Sequence, residues 1–444
     1  MKNKHIFIIC CMMLFSQGNG YSAEKVKYFR NIYNSWVLIE GRYQVDKNIA
    51  KKVNCYKFTY EDDKAISIEY LKKGKPTTDE SDNIPLVKKY IFKYSEDFEE
   101  RIYKDSKDNS IKDSYGVYSN KLQKNLINHT VTMYNYDKKG MLTENNHGVV
   151  KYIWILDDQN RRIRSTRYNK DDTQVTDKAG FYELRMKYDE KNNMTELSNY
   201  GKDGKLLTDK RGVAVIRWKC DESGNCIKET VYNSYDKICK STENCVQITE
   251  YKYNEYGDTV SECYYDAEMK SIAEFETKVH RKYWKYDDAG NTIERSYYDM
   301  YGKLTGCKDY DIAIFRFKYD ANGNKIEEKD YGEDGKLKEC EDGGWAVYRA
   351  KYDSKGNEKE VRYYDAQDKL TETKISGIAI IKRKYDSKGN KIEERVYGVD
   401  GNLKECKDYN YAIVKYKYDN ENNAISRVRF DRNGKVLDEQ QKNK

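Results

Sequence analysis

The sequence predicts an all-β fold, an elongated, solenoid-like array of β-hairpins with a 33-residue period. An aromatic residue followed by Asp recurs at that spacing, at Tyr286-Asp287, Tyr319-Asp320, Tyr352-Asp353, Tyr385-Asp386 and Tyr418-Asp419. Before each step apolar and basic residues alternate, as in Phe315-Arg316-Phe317. This is the period of a strand, and it argues against the helices of a 33-residue ankyrin repeat. Tyrosine, which favours strands, contributes 44 of the 444 residues and proline only 2.

The first 23 residues have the anatomy of a secretory signal peptide. Lys2 and Lys4 precede an apolar stretch from residue 6 to 15, and small or polar residues follow through Ala23. The stretch is too short to span a bilayer, and no later apolar run is long enough. We therefore expect an exported protein, secreted, periplasmic or on the cell surface, without a transmembrane segment. Lipid anchoring at Cys10 is the less favoured alternative.

The repeat divides the remaining chain into three parts. Counting backwards from Tyr286, the steps continue at intervals of 33 or 32 residues through Tyr253-Asn254, Cys220-Asp221, Tyr188-Asp189 and Leu156-Asp157. Residues 148–444 are therefore expected to form nine regular repeats, the last one truncated. Residues 61–147 carry weaker echoes and are predicted to be degenerate repeats, and residues 24–60 an N-terminal cap.

Turn residues stand at fixed places in each unit. Gly or Asn comes three residues after the Asp of each step, as at Gly323 and Asn422, which predicts a hairpin turn with one residue at positive φ. A second turn follows twelve residues later, as at Gly335, and a third near Gly344, so each unit is predicted to contain three short strands. The Asp is expected to accept backbone hydrogen bonds in the turn, with calcium binding as the less favoured alternative.

Charged residues of both signs alternate along nearly every segment. The 82 basic and 75 acidic residues leave a net charge of only +7. Nucleic-acid binding usually requires a segregated basic patch, so we expect no nucleic-acid partner. Acids such as Glu327 and Glu393 stand opposite the basic residues of the preceding strand, which predicts cross-strand ion pairs, as for Lys318 and Lys384.

Tyrosine falls into two rows that stacked units place one above the next. The first row contains the aromatic residues of the steps, and the second contains Tyr168, Tyr200, Tyr232, Tyr265, Tyr298, Tyr331, Tyr364 and Tyr397. Both rows are expected to build the core. Three units double the tyrosine of the second row. Because neighbours in a strand point to opposite faces, one tyrosine of each pair is predicted to face solvent and bind a ligand; the candidates are Tyr264, Tyr265, Tyr297, Tyr298, Tyr363 and Tyr364.

Nine cysteines follow the signal peptide, which places them in an oxidising compartment. Cys220 and Cys226 flank a turn sequence and are expected to form a disulfide, as are Cys239 and Cys245 at the same spacing. Cys307 and Cys340 occupy equivalent positions in adjacent units and are a third candidate pair. Zinc is the less favoured alternative, because zinc-binding pairs have shorter spacings and often recruit histidine.

No enzyme motif is present in the sequence. There is no Gly-x-Ser-x-Gly, phosphate-binding loop or His-Glu-x-x-His, and the four histidines are isolated. Carboxylates occur in pairs, but at repeated positions where a turn or surface role accounts for them. We therefore expect no catalytic residues, no cofactor and no metal.

The unit Tyr319-Asp320-Ala321-Asn322-Gly323-Asn324, followed by Gly335-Lys336-Leu337, resembles the bacterial YD repeats of the RHS type. The resemblance covers roughly residues 125–444 and implies a spiral β-sheet in a secreted or surface setting, in some proteins a shell around a toxic C-terminal cargo. The 33-residue period is longer than the usual YD spacing, and we expect no toxin domain after Lys444. The segment from Tyr297 to Gly306 is similar, more weakly, to aromatic-Gly repeats of cell-wall-binding and glucan-binding modules.

Together these features predict an exported, non-enzymatic scaffold that binds a protein or a carbohydrate (glycan) at the cell surface. The alternative is a shell-type segment related to RHS toxin-delivery proteins. A third is an enzyme site in the degenerate repeats.

Overall fold

Twenty-eight antiparallel strands form one continuous sheet in the computed structural model, which describes residues 25–77, 85–125, 127–178, 180–239, 246–274, 277–308, 310–420 and 422–441. The one helix in these ranges, α1, is a single turn at Lys47–Ala50, and the Asp46 carboxylate accepts hydrogen bonds from its first backbone N–H groups. The predicted all-β repeat fold is confirmed. The predicted signal peptide lies outside the described residues. No helix in these ranges is long and apolar enough to cross a membrane.

The strands before the regular units are β1 (Lys25–Asn34), β2 (Ile39–Val45), β3 (Cys55–Glu61), β4 (Lys64–Lys72), β5 (Lys75–Pro76), β6 (Lys89–Tyr94), β7 (Phe98–Lys104), β8 (Ser119–Asn125) and β9 (Thr130–Tyr136). The next are β10 (Lys151–Leu156), β11 (Arg162–Tyr168), β12 (Glu183–Tyr188), β13 (Met194–Tyr200), β14 (Val215–Cys220), β15 (Cys226–Tyr232), β16 (Ile248–Tyr253), β17 (Thr259–Tyr265), β18 (Arg281–Tyr286) and β19 (Thr292–Tyr298). The last are β20 (Ile314–Tyr319), β21 (Lys325–Tyr331), β22 (Val347–Tyr352), β23 (Glu358–Tyr364), β24 (Ile380–Tyr385), β25 (Lys391–Tyr397), β26 (Ile413–Tyr418), β27 (Ala424–Phe430) and β28 (Val436–Gln441).

Strand pairing follows the chain. From β7 onward each strand pairs with its neighbours in the chain. β6 pairs with β7 and with β4, and β4 joins it to the N-terminal strands β3, β1 and β2. One unit consists of a six-residue strand, the Tyr-Asp turn, a seven-residue strand and two further turns. The Tyr-Asp turns therefore lie along one edge of the sheet, which we call the first-turn edge, and the second turns lie along the other, the second-turn edge.

The third predicted strand of each unit is absent from the described residues. After the second turn the chain makes one isolated bridge to the end of the preceding strand, as from Leu337 to Tyr331. The chain then enters the third turn, where Gly344 has a φ of 66°. The stretch between the two turns is too short to form a strand, because both turns need their own backbone hydrogen bonds. The unit is thus a hairpin with a short return loop.

The Asp of each step caps its own turn. Oδ1 of Asp353 accepts hydrogen bonds from the backbone N–H groups of Lys355 and Asn357, both at 2.9 Å, and Oδ2 accepts one from Asn357 Nδ2 at 2.9 Å. Burial alone would raise the pKa of Asp353, but the hydrogen bonds from Asn357 and the backbone outweigh it and lower the pKa. The predicted turn role of this Asp is confirmed.

The first tyrosine row joins each unit to the one before it. The hydroxyl of Tyr385 donates to the Glu358 carbonyl oxygen at 2.8 Å, and that of Tyr352 to the Lys325 carbonyl oxygen at 2.9 Å. The same bond, 26 or 27 residues apart in sequence, is made by Tyr188, Tyr253, Tyr286, Tyr319 and Tyr418. This row is structural, as the sequence predicts.

The two faces of the sheet differ in chemistry. On the face that we call outer, Glu327 lies 2.9 Å from Lys318 of its own hairpin and 2.9 Å from Arg349 of the next unit. The predicted pair between Lys384 and Glu393 forms at 3.0 Å. On the inner face apolar side chains pack into buried clusters; the largest contains Tyr264, Val279, Tyr297, Cys307, Ile312, Phe315 and Cys340. The cross-strand ion pairs are confirmed, and they connect neighbouring units as well as neighbouring strands.

The sheet coils, so that its N-terminal part runs beside the first-turn edge of later units. Arg42 Nη1 donates to the Gly224 carbonyl oxygen at 2.8 Å, and Asn54 Nδ2 donates to Asn291 Oδ1 at 2.9 Å. Farther along, Lys73 reaches the Asp320 carbonyl oxygen, Lys107 that of Gly389 and Lys138 the side chain of Asn423. Successive segments of the first part thus meet successive turns of the second, as adjacent coils of a spiral do.

The hairpin of β1 and β2 packs inside this coil. Phe29 joins Phe58, Ile68 and Phe92 in a buried cluster, and Trp36 at the hairpin tip packs beside a second cluster that contains Trp154. The guanidinium of Arg101 donates to the carbonyl oxygens of Trp36 and Val37. The boundaries of the cap at 24–60 and of the repeats remain predictions.

Candidate functional site

The first tyrosines of the predicted ligand-binding pairs point to the inner face. Tyr264 and Tyr297 are buried in its largest cluster, and Tyr297 packs edge-on against Phe315 at 6.1 Å between ring centroids. Tyr363 occupies the equivalent position and lies 5.7 Å from Trp345. These three rings are part of the core.

The second tyrosines, Tyr265, Tyr298 and Tyr364, lie on the outer face and are half-buried. The Arg349 guanidinium lies 4.5 Å from the ring centroid of Tyr364, and the Tyr283 ring packs edge-on against Tyr298 at 5.4 Å. The two tyrosines of each pair therefore point to opposite faces, as expected, but neighbouring side chains cover the outward-facing rings. A ligand-binding role for the six residues remains a prediction.

The most exposed aromatic residues lie instead on the second-turn edge. Tyr235 is 82% and Tyr301 87% exposed, two units apart, and Met300 and Met269 on the same edge are each 42% exposed. Tyr235, Tyr301 and Met300 occupy the variable positions of the second turns, where another unit has the charged pair Lys202-Asp203, and Met269 occupies the last turn position, equivalent to Gly204. Aromatic residues at those positions are the sequence signal that would have identified this surface.

The second turns hold these side chains on a fixed backbone. Oδ1 of Asp299 accepts hydrogen bonds from the N–H groups of Tyr301 and Lys303, both at 2.9 Å. Asn233 does the same for Tyr235 at 2.9 Å and Lys237 at 3.2 Å. A partner that covers the rings therefore orders few additional backbone bonds, which reduces the entropic cost of binding.

The first-turn edge is occupied by the protein itself. The N-terminal coil covers several of its turns, and Lys355 Nζ donates to the Ser387 carbonyl oxygen of the next turn at 2.6 Å. Of the two edges of the array, the second-turn edge is therefore the open one.

A cavity of about 720 Å³ lies beside the β1–β2 hairpin. Its lining includes the aromatic residues Phe29, Tyr60, Phe92 and Tyr94. The protein's own cations already lie over the rings: Lys27 is 5.4 Å from the centroid of Tyr60 and Lys64 is 5.3 Å from that of Tyr94. The cavity has the size of a small-molecule site, but its aromatic faces are partly covered.

Two of the predicted cysteine pairs can be placed in the structure. Cys220 and Cys226 face each other across the hairpin as directly paired residues, yet both are thiols. Cys340 is also a thiol, packed in the inner cluster, so no bond joins it to Cys307 in this structure. The physical reason is local: the two side chains of the third pair fill apolar space between units. Cys245 lies outside the described residues.

We expect the Cys220–Cys226 bond to form when the protein is oxidised. Closing this short loop should stabilise the hairpin by about 2 kcal/mol. Burial raises the pKa of the Cys226 thiol to about 12, so little thiolate is present at neutral pH and the reaction should be slow. Joining the two thiols also releases two electrons and two protons, which an oxidant such as diamide takes up. Mass spectrometry after diamide treatment should show a linked peptide, lost in Cys226→Ser. Alkylation of both Cys220 and Cys226 after oxidation of the native protein would contradict the prediction.

Within the described ranges no three His, Cys, Asp or Glu side chains come together as a metal site. The turn carboxylates are directed to backbone N–H groups, as in the turns of Asp299 and Asp353.

No protein-family model matches the chain, and no curated protein matches it. Among solved structures, the crystal structure of TcdB2-TccC3-TEV is similar at 11% identity with a TM-score of 0.35, covering 85% of this chain and 19% of that one. The crystal structure of TcdB2-TccC3 is 12% identical with a TM-score of 0.32, covering 85% and 20%. The Tc holotoxin pore of Photorhabdus luminescens is 11% identical with a TM-score of 0.21, covering 89% and 26%. The chain thus spans a fifth to a quarter of the length of these structures.

Proposed function

We propose that the protein is an exported, non-enzymatic scaffold that binds a protein or glycan partner along its second-turn edge. The observation that carries the proposal is the exposure of Tyr235 and Tyr301 on ordered turns of a sheet whose other edge is occupied. Covering a large exposed aromatic ring contributes about 2–3 kcal/mol to the free energy of binding a partner. Two such rings and the methionine between them offer a substantial contact.

A scaffold role fits the way in which this protein uses its ionisable groups. Arg383 lies 2.8 Å from Glu394, and Lys391 lies 2.9 Å from the same carboxylate. The Tyr411 hydroxyl donates to Glu394 at 3.0 Å. These groups satisfy one another within the sheet, which supports a structural rather than a catalytic role for them.

Replacing both exposed rings tests the proposal. We expect Tyr235→Ala/Tyr301→Ala to weaken binding to glycan arrays or to partners captured from envelope material at least about tenfold. The matched control is Tyr409→Ala, which removes a 62% exposed tyrosine from a third turn and should bind as the unaltered protein does. Equal binding by the double variant and the unaltered protein would contradict the proposal, as would hydrolysis of the bound partner.

The coiling of the sheet favours a second candidate, a shell-type segment that encloses a polypeptide. Its support is the set of contacts that bring residues 42–138 onto turns between residues 224 and 423. In that case a co-expressed polypeptide from a neighbouring gene should be protected from protease by this protein. If the protease degrades that polypeptide as fast in the presence of this protein as in its absence, the result would argue against enclosure.

A further inference from the structure

A second cavity, of about 490 Å³, lies where the β1–β2 hairpin meets the tips of three other hairpins, β8–β9, β10–β11 and β12–β13. We call it the hairpin cavity. Its lining includes Tyr33 and Leu38 from the β1–β2 hairpin, Leu156 and Arg162 from β10 and β11, and Tyr188 from β12. The volume is that of a site for a small molecule.

Arg162 carries a positive charge to the inner end of this cavity. It is mostly buried, and its guanidinium lies 5.2 Å from the centroid of the buried Trp154 ring. Its Nε atom is fully buried and has no hydrogen-bond partner. Within the described part of the chain, the guanidinium makes neither an ion pair nor a hydrogen bond. The contact with the ring replaces only part of the lost hydration, so the charge destabilises the protein as it stands.

Other units hold a basic residue at the same position and neutralise it. Lys325 and Lys391 begin β21 and β25, and each lies close to the carboxylate of the glutamate three residues later, at 2.6 and 2.9 Å. In the unit of Arg162, Ser165 stands where that glutamate would be. The repeat therefore keeps the inward-facing charge in this unit but lacks its counter-charge.

The groups that act most strongly on Arg162 are not carboxylates. Burial lowers the pKa of Arg162, the hydroxyl groups of Tyr188, Tyr33 and Tyr115 raise it, and the charge of Arg167 lowers it further. Phenol groups are uncharged at neutral pH, so they supply no counter-charge. Because arginine stays protonated in proteins, the inner end of the hairpin cavity keeps an uncompensated positive charge.

The rim of the cavity carries charges of both signs. Arg161 lies 2.7 Å from Asp157, Lys191 pairs with Glu222, and Glu40 belongs to the lining on the side of the β1–β2 hairpin. These charges largely offset one another. Selection of an anion therefore depends on Arg162 at the inner end and not on the rim.

Neutral polar groups complete the lining. The side-chain amides of Gln159 and Asn160 make no hydrogen bond with another residue in the described ranges. An amide both donates and accepts, which suits the hydroxyl groups of a ligand. The hairpin cavity thus offers a guanidinium to an oxyanion and amides to hydroxyl groups.

We infer that the hairpin cavity binds a small hydroxylated molecule with a carboxylate or phosphate group, such as a sugar acid or a sugar phosphate. The planar guanidinium of Arg162 forms paired hydrogen bonds with the oxyanion, a geometry that carboxylates and phosphates share. No lining residue of this cavity belongs to the second-turn edge, so binding here is independent of the partner proposed for that edge.

Calorimetric titration of the purified full chain with two matched pairs of probes tests this site. The pairs are galacturonate with galactose and glucose 6-phosphate with glucose, and they distinguish a carboxylate from a phosphate ligand. At least one anion should bind with a Kd of about 1 mM or tighter, and its neutral partner about tenfold more weakly or less. Butyrate, which has the charge without the hydroxyl groups, should bind more weakly than the better anion. Equal binding of a neutral sugar and its anion, or no binding of either anion at about 10 mM, would overturn the inference.

Variants of Arg162 locate the binding. Arg162→Met should weaken it about tenfold or more, and Arg162→Lys should weaken it as well, because an ammonium group cannot form the paired bonds. The matched control is Arg164→Gln, which changes an outward-facing arginine of the same strand that pairs with Glu183, and it should bind within about twofold of the unaltered protein.

Thermal unfolding without a probe separates loss of binding from loss of folding. Arg162→Met removes an uncompensated buried charge, so it should unfold at no lower temperature than the unaltered protein. If it unfolds at a lower temperature, Arg162→Lys decides: binding by that variant as tight as by the unaltered protein would overturn the inference. Unchanged binding by Arg162→Met, or an equal loss in Arg164→Gln, would also overturn it.

Discussion

Replacing Asp330 by Asn is expected to stabilise the protein by about 2–4 kcal/mol at neutral pH and to leave its stability near pH 4 unchanged. Asp330 is 1% exposed on the inner face, at the position that holds Tyr297 and Tyr363 in the neighbouring units. Its Oδ1 atom has no hydrogen-bond partner among the described residues. The chain thus places a carboxyl group where its neighbours place a ring.

The direction of the effect follows from the pKa. Burial, with a smaller contribution from the nearby charge of Glu328, raises the pKa of Asp330 to about 9, against the lowering effects of Lys325 and Arg295. In the unfolded chain the carboxyl group loses its proton above about pH 4. Between those values only the unfolded state releases the proton, so stability falls as pH rises from about 4 to about 9.

Urea denaturation of the variant and the unaltered protein across this pH range measures the effect. The gap between their midpoints should be small at pH 4, widen with pH and level off near pH 9. Asp334→Asn, which removes a charge from an exposed turn, should shift the midpoint little at any pH. A gap for Asp330→Asn that is constant with pH would show that this carboxyl group is ionised in the folded protein.

A second large effect is expected where the β1–β2 hairpin meets the first-turn edge. Arg30, 4% exposed in its side chain, has Nη2 3.3 Å from Oδ2 of Asp258, and its guanidinium lies 4.6 Å from the centroid of the Tyr256 ring. This turn exchanges the usual Asp and Asn: Asn254 caps the turn, and the carboxylate stands at 258. The turn keeps its hydrogen bonds and also presents a negative charge to Arg30.

Asp258→Asn is expected to destabilise the docked hairpin by about 3 kcal/mol, because it leaves a buried guanidinium without its counter-charge. The measurement is protection of backbone amides in β1 and β2 from hydrogen exchange, which reports opening of this segment. The double variant Asp258→Asn/Arg30→Met should be destabilised by less than the sum of the destabilisations of the two single variants. Additive costs would mean that the two side chains do not interact.

Local patterns were sufficient to predict the strands and the turns of this fold. Alternation around Phe315 and Phe317 located a strand, and Gly323 and Asn422 marked turns with positive φ, of 86° and 64°. Both are properties of a few consecutive residues. The segment after each second turn is predicted to be a strand, but it forms a single isolated bridge. The length of pairing in this segment depends on how two adjacent turns share hydrogen bonds.

The candidate site was harder to predict, because it depends on register between units. Alternation placed Tyr363 and Tyr364 on opposite faces, but only the structure shows that Arg349, from the preceding strand, covers the Tyr364 ring. The contact between Arg30 and Asp258 joins residues 228 apart and has one local trace, the exchange of Asp and Asn in the turn. The exposure of Tyr301 depends on which edge the coil leaves open.

Lysine reactivity, measured with and without a bound glycan or envelope partner, tests the central claim that the second-turn edge is the binding surface. Acetylation followed by mass spectrometry reports each lysine separately in the unaltered protein. We expect protection of Lys237, Lys270 and Lys303 on the second-turn edge, with Lys219 and Lys252 on the outer face as reactive as in the free protein. Protection of the outer-face lysines with the edge lysines unchanged would contradict it.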